Sequence, residues 1–237
     1  MKTQTSRTSP QVYARGFGLL YLTVIVAGIV AQMFISERLV VWGDAAATAA
    51  NIQTNPSLFQ VGFTFYLIEM SAQIAMTGLL YLLLKPVSRS LALLAMFFEL
   101  AGCVIKTLGR LFYIAPLLVL ADNQYLSVFS VEQLQALALL LLKVNDQAAG
   151  MALAFFGFST FLNGYLVFRS NFLPRFLGVI SMVGGLGWLT FLYPPLGYEL
   201  APYLLLVGIV GGLSQILWFF VKGVNVEQWR QQALETV

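Results

Sequence analysis

Four residues that could take part in proton or ion chemistry lie along one apolar stretch of the sequence. Glu99, Cys103, Lys106 and Arg110 follow one another at spacings of four, three and four residues. A helix turns by about 100° per residue, so these side chains would share one face within about 60°. A charged group at the centre of a membrane helix costs about 2.5 to 3.5 kcal/mol on insertion scales. The stripe is therefore expected to face a bundle interior or water, where it could bind ions, transfer protons or form ion pairs.

The apolar segment before it carries a second stripe at helical spacing, made of Tyr66, Glu69, Gln73 and Thr77. Glu69 and Arg110 each lie about ten residues, roughly 15 Å, from the predicted outer ends of their helices. We therefore expect Glu69 and Arg110 to form an ion pair, with Lys106 one turn deeper. Asp146, on a later segment, reaches a similar level if that segment begins near residue 136 and sits higher if it begins nearer residue 147. Glu99 is expected to lie deeper and alone.

Three classes of function fit these residues. In the first, a small polar or charged solute, or protons, bind at a buried polar site made of Glu69, Gln73, Glu99, Cys103, Lys106, Arg110 and Asp146. The second is an intramembrane enzyme in which Glu69, Glu99 or Asp146 acts as general acid or base. The third is a non-catalytic accessory or lipid-interacting protein, in which the charges only hold helices together. The first class, a solute or ion binding or transport bundle, is preferred by a small margin, and an enzyme is the least favoured.

The composition excludes several other classes. Of 237 residues, 59% are hydrophobic and 10% are charged, whereas soluble domains carry roughly 25% charged residues. With no histidine and one cysteine, the chain lacks the commonest general base and metal ligand and cannot form an internal disulfide. No metal or other cofactor is expected. The basic residues are scattered singly, which disfavours nucleic acid as a partner and leaves membrane lipids and a small solute.

The apolar segments predict an all-α polytopic membrane bundle with six spans in a single domain. The spans are placed at about 17–35, 59–84, 91–120, 136–168, 174–193 and 201–221. Nine basic residues fall on one side of this arrangement and Arg38 alone on the other: Lys2, Arg7, Arg15, Lys85, Arg89, Arg169, Arg175, Lys222 and Arg230. Because short cytoplasmic loops hold an excess of lysine and arginine, both chain ends are expected to be cytoplasmic.

Local signals refine these boundaries. Asp44 is placed to cap a short helix that contains Asn51, so the outer loop 36–58 is expected to be ordered. Ser130 and Gln133 form a capping-box pattern that would start a helix reaching Arg169. The run Tyr193-Pro194-Pro195 is expected to end helix five. From Asn225 onward the sequence indicates a short amphipathic tail, which Trp229 anchors at the cytoplasmic surface.

Small residues indicate where helices approach closely, because lipid provides no hydrophobic drive for helix association. They form a heptad series on helix four, a GxxxG pair on helix six and a pair on helix five: Gly150, Gly157 and Gly164; Gly208 and Gly212; Ser181 and Gly185. Packing within one bundle is the preferred interpretation and a dimer seam the alternative, so the oligomeric state stays open. A weak echo at an offset of 86 residues relates Gly78 and Arg89 to Gly164 and Arg175, as a duplicated helical pair would; chance matching in so apolar a sequence is the equal alternative.

Several stretches together resemble a bacterial membrane family catalogued as domain of unknown function 4386. They are residues 43–52 (GDAAATAANI), 80–87 (LYLLLKPV), 155–157 (FFG), 164–175 (GYLVFRSNFLPR) and 177–178 (LG). The resemblance covers nearly the whole chain and keeps the order of the motifs. It implies a multi-helix domain in the bacterial inner membrane, and it implies no activity because the family's name records none.

Overall fold

The computed structural model describes residues 9–235, and these fold into helices without any strand. Helices α1 to α10 are, in chain order, Pro10–Ile29, Glu37–Leu39, Ala45–Thr54, Pro56–Leu84, Arg89–Ile114, Pro116–Val119, Val131–Arg169, Arg175–Leu189, Pro194–Val221 and Val226–Glu235. A π-helical segment, Val30–Ser36, continues α1, and short 3₁₀ turns occur at Gln124–Leu126 and Thr190–Leu192.

Six helical stretches are long and apolar enough to cross a membrane, which confirms the predicted polytopic all-α class. They are Pro10–Leu39, Pro56–Leu84, Arg89–Val119, Val131–Arg169, Arg175–Leu192 and Pro194–Val221. Lys2 and Arg7, which contribute to the orientation prediction, lie outside the described residues.

The fifth span ends directly before Tyr193-Pro194-Pro195, as predicted, but the two prolines also start the next helix. Helix α8 ends at Leu189 and a 3₁₀ turn continues to Leu192, while Pro194 and Pro195 form the first turn of α9. Proline suits that position because the first N–H groups of a helix have no intrahelical partner. Helix α9 therefore begins seven residues before the predicted 201 and runs through Pro202.

The segment that links the first two spans contains the short helix α3. The Asp44 carboxylate accepts a hydrogen bond from the backbone N–H of Ala47 at 2.9 Å and so caps the helix. Asn51 extends its side-chain amide to the carbonyl oxygen of Leu39 at 3.2 Å. These bonds fix α3 against the residues that precede it.

Helix α7 begins with the reciprocal bonds of a capping box. The Gln133 side chain accepts from the Ser130 backbone N–H at 2.8 Å, and the Ser130 hydroxyl accepts from the Gln133 N–H at 3.3 Å. The helix then runs for 39 residues, or about 58 Å at 1.5 Å per residue. It is much longer than the roughly 30 Å thickness of a hydrocarbon core.

The described residues form two compact units. The first unit takes residues 9–22, 72–102 and 153–235, and the second takes residues 23–71 and 103–152. The first unit has a core that includes Phe17, Leu83, Leu84, Leu166, Leu177 and Phe219. The second has a core that includes Ile35, Ile52, Phe59, Tyr66, Tyr113 and Leu142, in which the Phe59 and Tyr113 rings stack with centroids 4.4 Å apart.

Glycines bring α7 and α8 into backbone contact within the first unit. A Cβ added to Gly164 would lie 2.7 Å from the Met182 nitrogen, and one added to Gly157 would lie 2.8 Å from the Leu189 nitrogen. Both distances are shorter than real Cβ contacts, so only glycine fits at these crossings. A Cβ added to Gly208 of α9 would lie 3.2 Å from the Trp188 ring. Gly150, in the second unit, and Gly212 are buried.

Helix α10 docks on the first unit through polar bonds. The indole N–H of Trp229 donates to the carbonyl oxygen of Leu83 at 2.8 Å, next to the end of α4. The Gln232 side chain accepts from the Asn171 backbone N–H at 3.2 Å. Trp229 thus anchors the C-terminal helix on the protein, and the location of this helix at the cytoplasmic membrane surface stays a prediction.

Candidate solute site and charged network

A cavity of about 100 Å³ lies within the first unit. Six spans supply its wall. Helix α5 provides the carboxylate of Glu99, and α4 provides its amide partner, Gln73. Its polar lining consists of Tyr21, Gln73, Thr77, Tyr81, Glu99, Thr160, Asn163, Ser181 and Gln215, and its apolar lining includes Phe17, Met76, Met96 and Phe219. We refer to it as the Glu99 cavity.

Glu99 is the acidic group of this cavity and is only 6% exposed. Its carboxylate accepts a hydrogen bond from the side-chain amide of Gln73. Thr77, one turn further along α4, donates its hydroxyl to the Gln73 carbonyl oxygen at 2.8 Å. The expectation that Glu99 lies alone was therefore wrong, because α4 and α5 place an amide against its carboxylate.

The parts of the wall from α7, α8 and α9 carry amides and hydroxyls that are held by hydrogen bonds. The Gln215 amide on α9 donates to the Ser181 hydroxyl on α8 at 2.9 Å, and Ser181 in turn donates to the Leu177 carbonyl at 2.8 Å. Asn163 on α7 donates its side-chain amide to Ser159 at 3.2 Å. Among the described residues that line this cavity there is no lysine or arginine. The site thus combines one buried carboxylate with neutral hydrogen-bonding groups.

The second unit contains an ion pair that differs from the predicted one. Lys106 Nζ lies 2.6 Å from Glu69 Oε1, and both side chains are largely buried. The predicted pairing of Glu69 with Arg110 was wrong. Lys106, which lies one helical turn before Arg110 on α5, forms the ion pair with Glu69 instead. The Glu69 side chain also lies against α1, where a Cβ on Gly28 would be 3.4 Å from Oε1.

Arg110 is held by a ring and an amide. Its guanidinium carbon lies 3.4 Å from the centroid of the Tyr66 ring, and its NH1 group donates to the Asn145 side-chain oxygen at 2.9 Å. The Tyr66 hydroxyl donates at 2.7 Å to the side-chain oxygen of Gln32, which lies in the π-helical segment. Arg110 is only 4% exposed, and a cation over an aromatic face gains more when it is desolvated.

The two other candidate residues, Asp146 and Cys103, also belong to the second unit. Asp146 follows Asn145 on α7 and is half-buried, and Cys103 is fully buried. The site residues thus fall into two sets, with Gln73 and Glu99 in the first unit and Glu69, Lys106 and Arg110 in the second. No three histidine, cysteine, aspartate or glutamate side chains within residues 9–235 come together as a metal site would require.

Comparisons with known proteins assign a family and no activity. The sequence model of the family described as domain of unknown function (DUF4386) matches residues 17–223. A relative from Archaeoglobus fulgidus, described as an uncharacterized protein, is 22% identical over 180 residues, which cover 75% of this chain and 91% of the relative. No solved structure matches the chain.

Proposed function

This chain belongs to the DUF4386 family, whose description states no activity, and from the geometry of the Glu99 cavity we propose that it binds a small, positively charged solute inside the membrane. The observation that carries the proposal is the buried carboxylate of Glu99 in a cavity whose lining has no basic side chain. A bound cation would place its positive charge beside this carboxylate, in addition to the bond that Glu99 accepts from Gln73.

The energetics favour a cationic ligand over an anionic or neutral one. An ionised carboxylate is costly to bury unless a cation or several hydrogen bonds compensate it. The Gln73 amide supplies one such bond, and an alkali cation or a protonated amine in the cavity would be attracted to the carboxylate, whereas an anion would be repelled. The amides and hydroxyls of Asn163, Ser181 and Gln215 could then orient the remaining polar groups of the solute.

We further propose a bacterial inner membrane as the cellular setting, which rests on the resemblance to a bacterial membrane family. We propose that both chain ends are cytoplasmic, because the loops assigned to the cytoplasm carry nine of the thirteen basic residues. An ionisable residue inside a membrane bundle commonly marks a solute or ion pathway, so we extend the proposal to passage of the bound cation across the bilayer.

The proposal is tested by binding measurements with three probes of similar size and different charge. Ethylammonium, ethanol and acetate are titrated into the protein in phosphatidylcholine nanodiscs, with ionic strength held constant by N-methylglucamine chloride. Ethylammonium is expected to bind at least tenfold more tightly than the other two. Sodium and potassium chloride are tested in parallel as inorganic cations. Equal binding of all the probes, or no binding of any cation, would overturn the proposal.

The matched control separates the cavity carboxylate from the overall charge of the chain. Glu99→Gln removes the negative charge in the cavity and is expected to abolish the preference for ethylammonium. Glu199→Gln makes the same change at an exposed position on α9 and should leave the preference intact.

A further inference from the structure

A second cavity, of about 390 Å³, opens at one end of the first unit. Its walls are the loop between α7 and α8 and the link between α9 and α10. The polar groups that line it are the side chains of Asn171, Lys222, Asn225 and Gln228, and the ring of Trp218 lines it as well. We propose that this Lys222 cavity binds the phosphate headgroup of an anionic membrane lipid.

The charges around the cavity suit a phosphate. Lys222 provides an exposed ammonium group, and the described lining contains no aspartate or glutamate. Arg175, also exposed, directly follows the lining residue Pro174 at the start of α8. Glu227 is the nearby acidic residue in the sequence and is exposed. The balance of two cations against one carboxylate, together with three side-chain amides as donors, favours an anionic oxygen ligand.

The position of the cavity favours a lipid over a free phosphate ion. Helix α7 ends at Arg169, α8 begins at Arg175 and α9 ends at Val221, so the cavity lies at the ends of three spans, where the membrane interface is expected. Tryptophan is enriched at that level, and Trp218 lines the cavity. Phe176, Leu217 and Val221 are exposed on the adjoining turns of α8 and α9. An acyl chain could cover these side chains while its headgroup occupies the cavity.

The walls are fixed by hydrogen bonds that do not involve the Lys222 ammonium group. The Asn225 backbone N–H donates to the Phe172 carbonyl at 3.2 Å and joins the two walls. The Trp218 indole donates to the Gly223 carbonyl at 3.1 Å. The Gln11 side chain bridges the link, because it donates to the Lys222 carbonyl at 3.2 Å and accepts from the Val224 N–H at 3.0 Å. The cavity is therefore formed before a headgroup enters it.

Native mass spectrometry of the protein released from nanodiscs gives the test. Nanodiscs contain equal amounts of phosphatidylglycerol and phosphatidylcholine, and the lipids retained on the protein are counted. Wild type is expected to retain phosphatidylglycerol in preference to phosphatidylcholine. Lys222→Gln should lower that preference by at least threefold, and Lys222→Arg should keep it. Arg230→Gln, an exposed change on α10 outside the cavity lining, is the matched control and should retain the lipid as wild type does.

Further arms separate a lipid from a soluble anion. Inorganic phosphate and glycerol phosphate are added at the same phosphate concentration, and neither is expected to displace phosphatidylglycerol. Displacement by inorganic phosphate would overturn the assignment to a lipid. Equal retention of the two lipids by wild type would also overturn the proposal, as would equal losses in Lys222→Gln and Arg230→Gln. All variants lie at the surface, and their circular dichroism spectra show whether the helices are retained.

Discussion

At the scale of single residues, Lys106 and Arg110 of the second unit interact with different kinds of partner. Lys106 pairs with Glu69 directly, whereas Arg110 lies on the Tyr66 ring and bonds to Asn145. The polar stripes of the sequence indicated which residues turn away from lipid. They did not indicate which partner each residue takes, because a shift of one turn between two helices exchanges Lys106 for Arg110 with little change in the pattern.

The Glu69–Lys106 pair is expected to behave as a coupled unit in stability measurements. Glu69→Leu leaves a largely buried ammonium group without its carboxylate, and breaking such a pair typically costs about 3 kcal/mol or more. Lys106→Met is expected to cost a similar amount. The double variant should recover most of the loss, because the pair is then replaced by apolar side chains of similar volume. Thermal unfolding in detergent measures all three, and additive losses in the double variant would contradict the pairing.

Cys103 reports directly on whether the stripe of α5 is hydrated. Its side chain is fully buried, and a thiol reacts as the thiolate, which requires water or nearby positive charge. We expect a membrane-impermeant maleimide to leave Cys103 unlabelled in intact cells and to label it after denaturation in detergent. Rapid labelling of intact cells would show that a water-filled pathway reaches α5, and it would contradict the burial of Cys103.

At the scale of helices, the crossing of α7 with α8 depends on glycine at positions where the two backbones meet. A Cβ at residue 164 would lie 2.7 Å from a backbone nitrogen of α8, which cannot move like a flexible side chain. Gly164→Ala is expected to destabilise the protein by about 1 to 3 kcal/mol through overpacking. Gly184→Ala on α8 is the control, since nothing lies within 4 Å of its added Cβ. Equal melting temperatures for the two variants would contradict this crossing.

The sequence predicted the glycine positions of α7 but not the residues that meet them. Gly157 and Gly164 recur at seven residues, and in the structure they contact Gly185 and Gly178, which also lie seven residues apart. Of these two glycines on α8, the sequence predicted only Gly185, which it paired with Ser181. A matching heptad of glycines on the next helix is the signal that could have identified the crossing.

The first residues of helices α5 and α8 match the weak internal repeat of the sequence. Helix α5 begins at Arg89 and α8 begins at Arg175, which is the same offset of 86 residues that relates the matching side chains. Each start follows a short turn after a long apolar helix. Duplication of a helical pair would produce this agreement, and chance stays the alternative, since the two second helices differ in length, with 26 and 15 residues.

At the scale of the whole molecule, six apolar stretches were enough to predict six spans because membrane helices must satisfy their own backbone groups over about 20 residues. The Glu99 cavity was not predictable to the same degree. Its wall needs Asn163, Ser181 and Gln215 from three later spans, and neutral polar residues give no signal above the background of an apolar helix. The sequence identified Gln73 and Glu99 only because they continue a charged stripe.

The orientation prediction is tested with single cysteines in a Cys103→Ala background. Ser127→Cys lies in the loop before α7 and Asn171→Cys in the loop before α8, and both positions are exposed. If both chain ends are cytoplasmic, an impermeant maleimide should label residue 127 in intact cells and residue 171 only after lysis. The reverse pattern would invert the orientation.

The most direct test of the proposed function is an exchange of the two side chains that form the Glu99–Gln73 pair. Ethylammonium affinity is measured for wild type, for Glu99→Gln and for the double variant Glu99→Gln with Gln73→Glu, all in the same nanodiscs. We predict that the single variant loses affinity at least tenfold and that the double variant recovers much of it, because a carboxylate again lines the cavity. A Glu99→Gln protein that binds ethylammonium as tightly as wild type would contradict a cation site at this carboxylate.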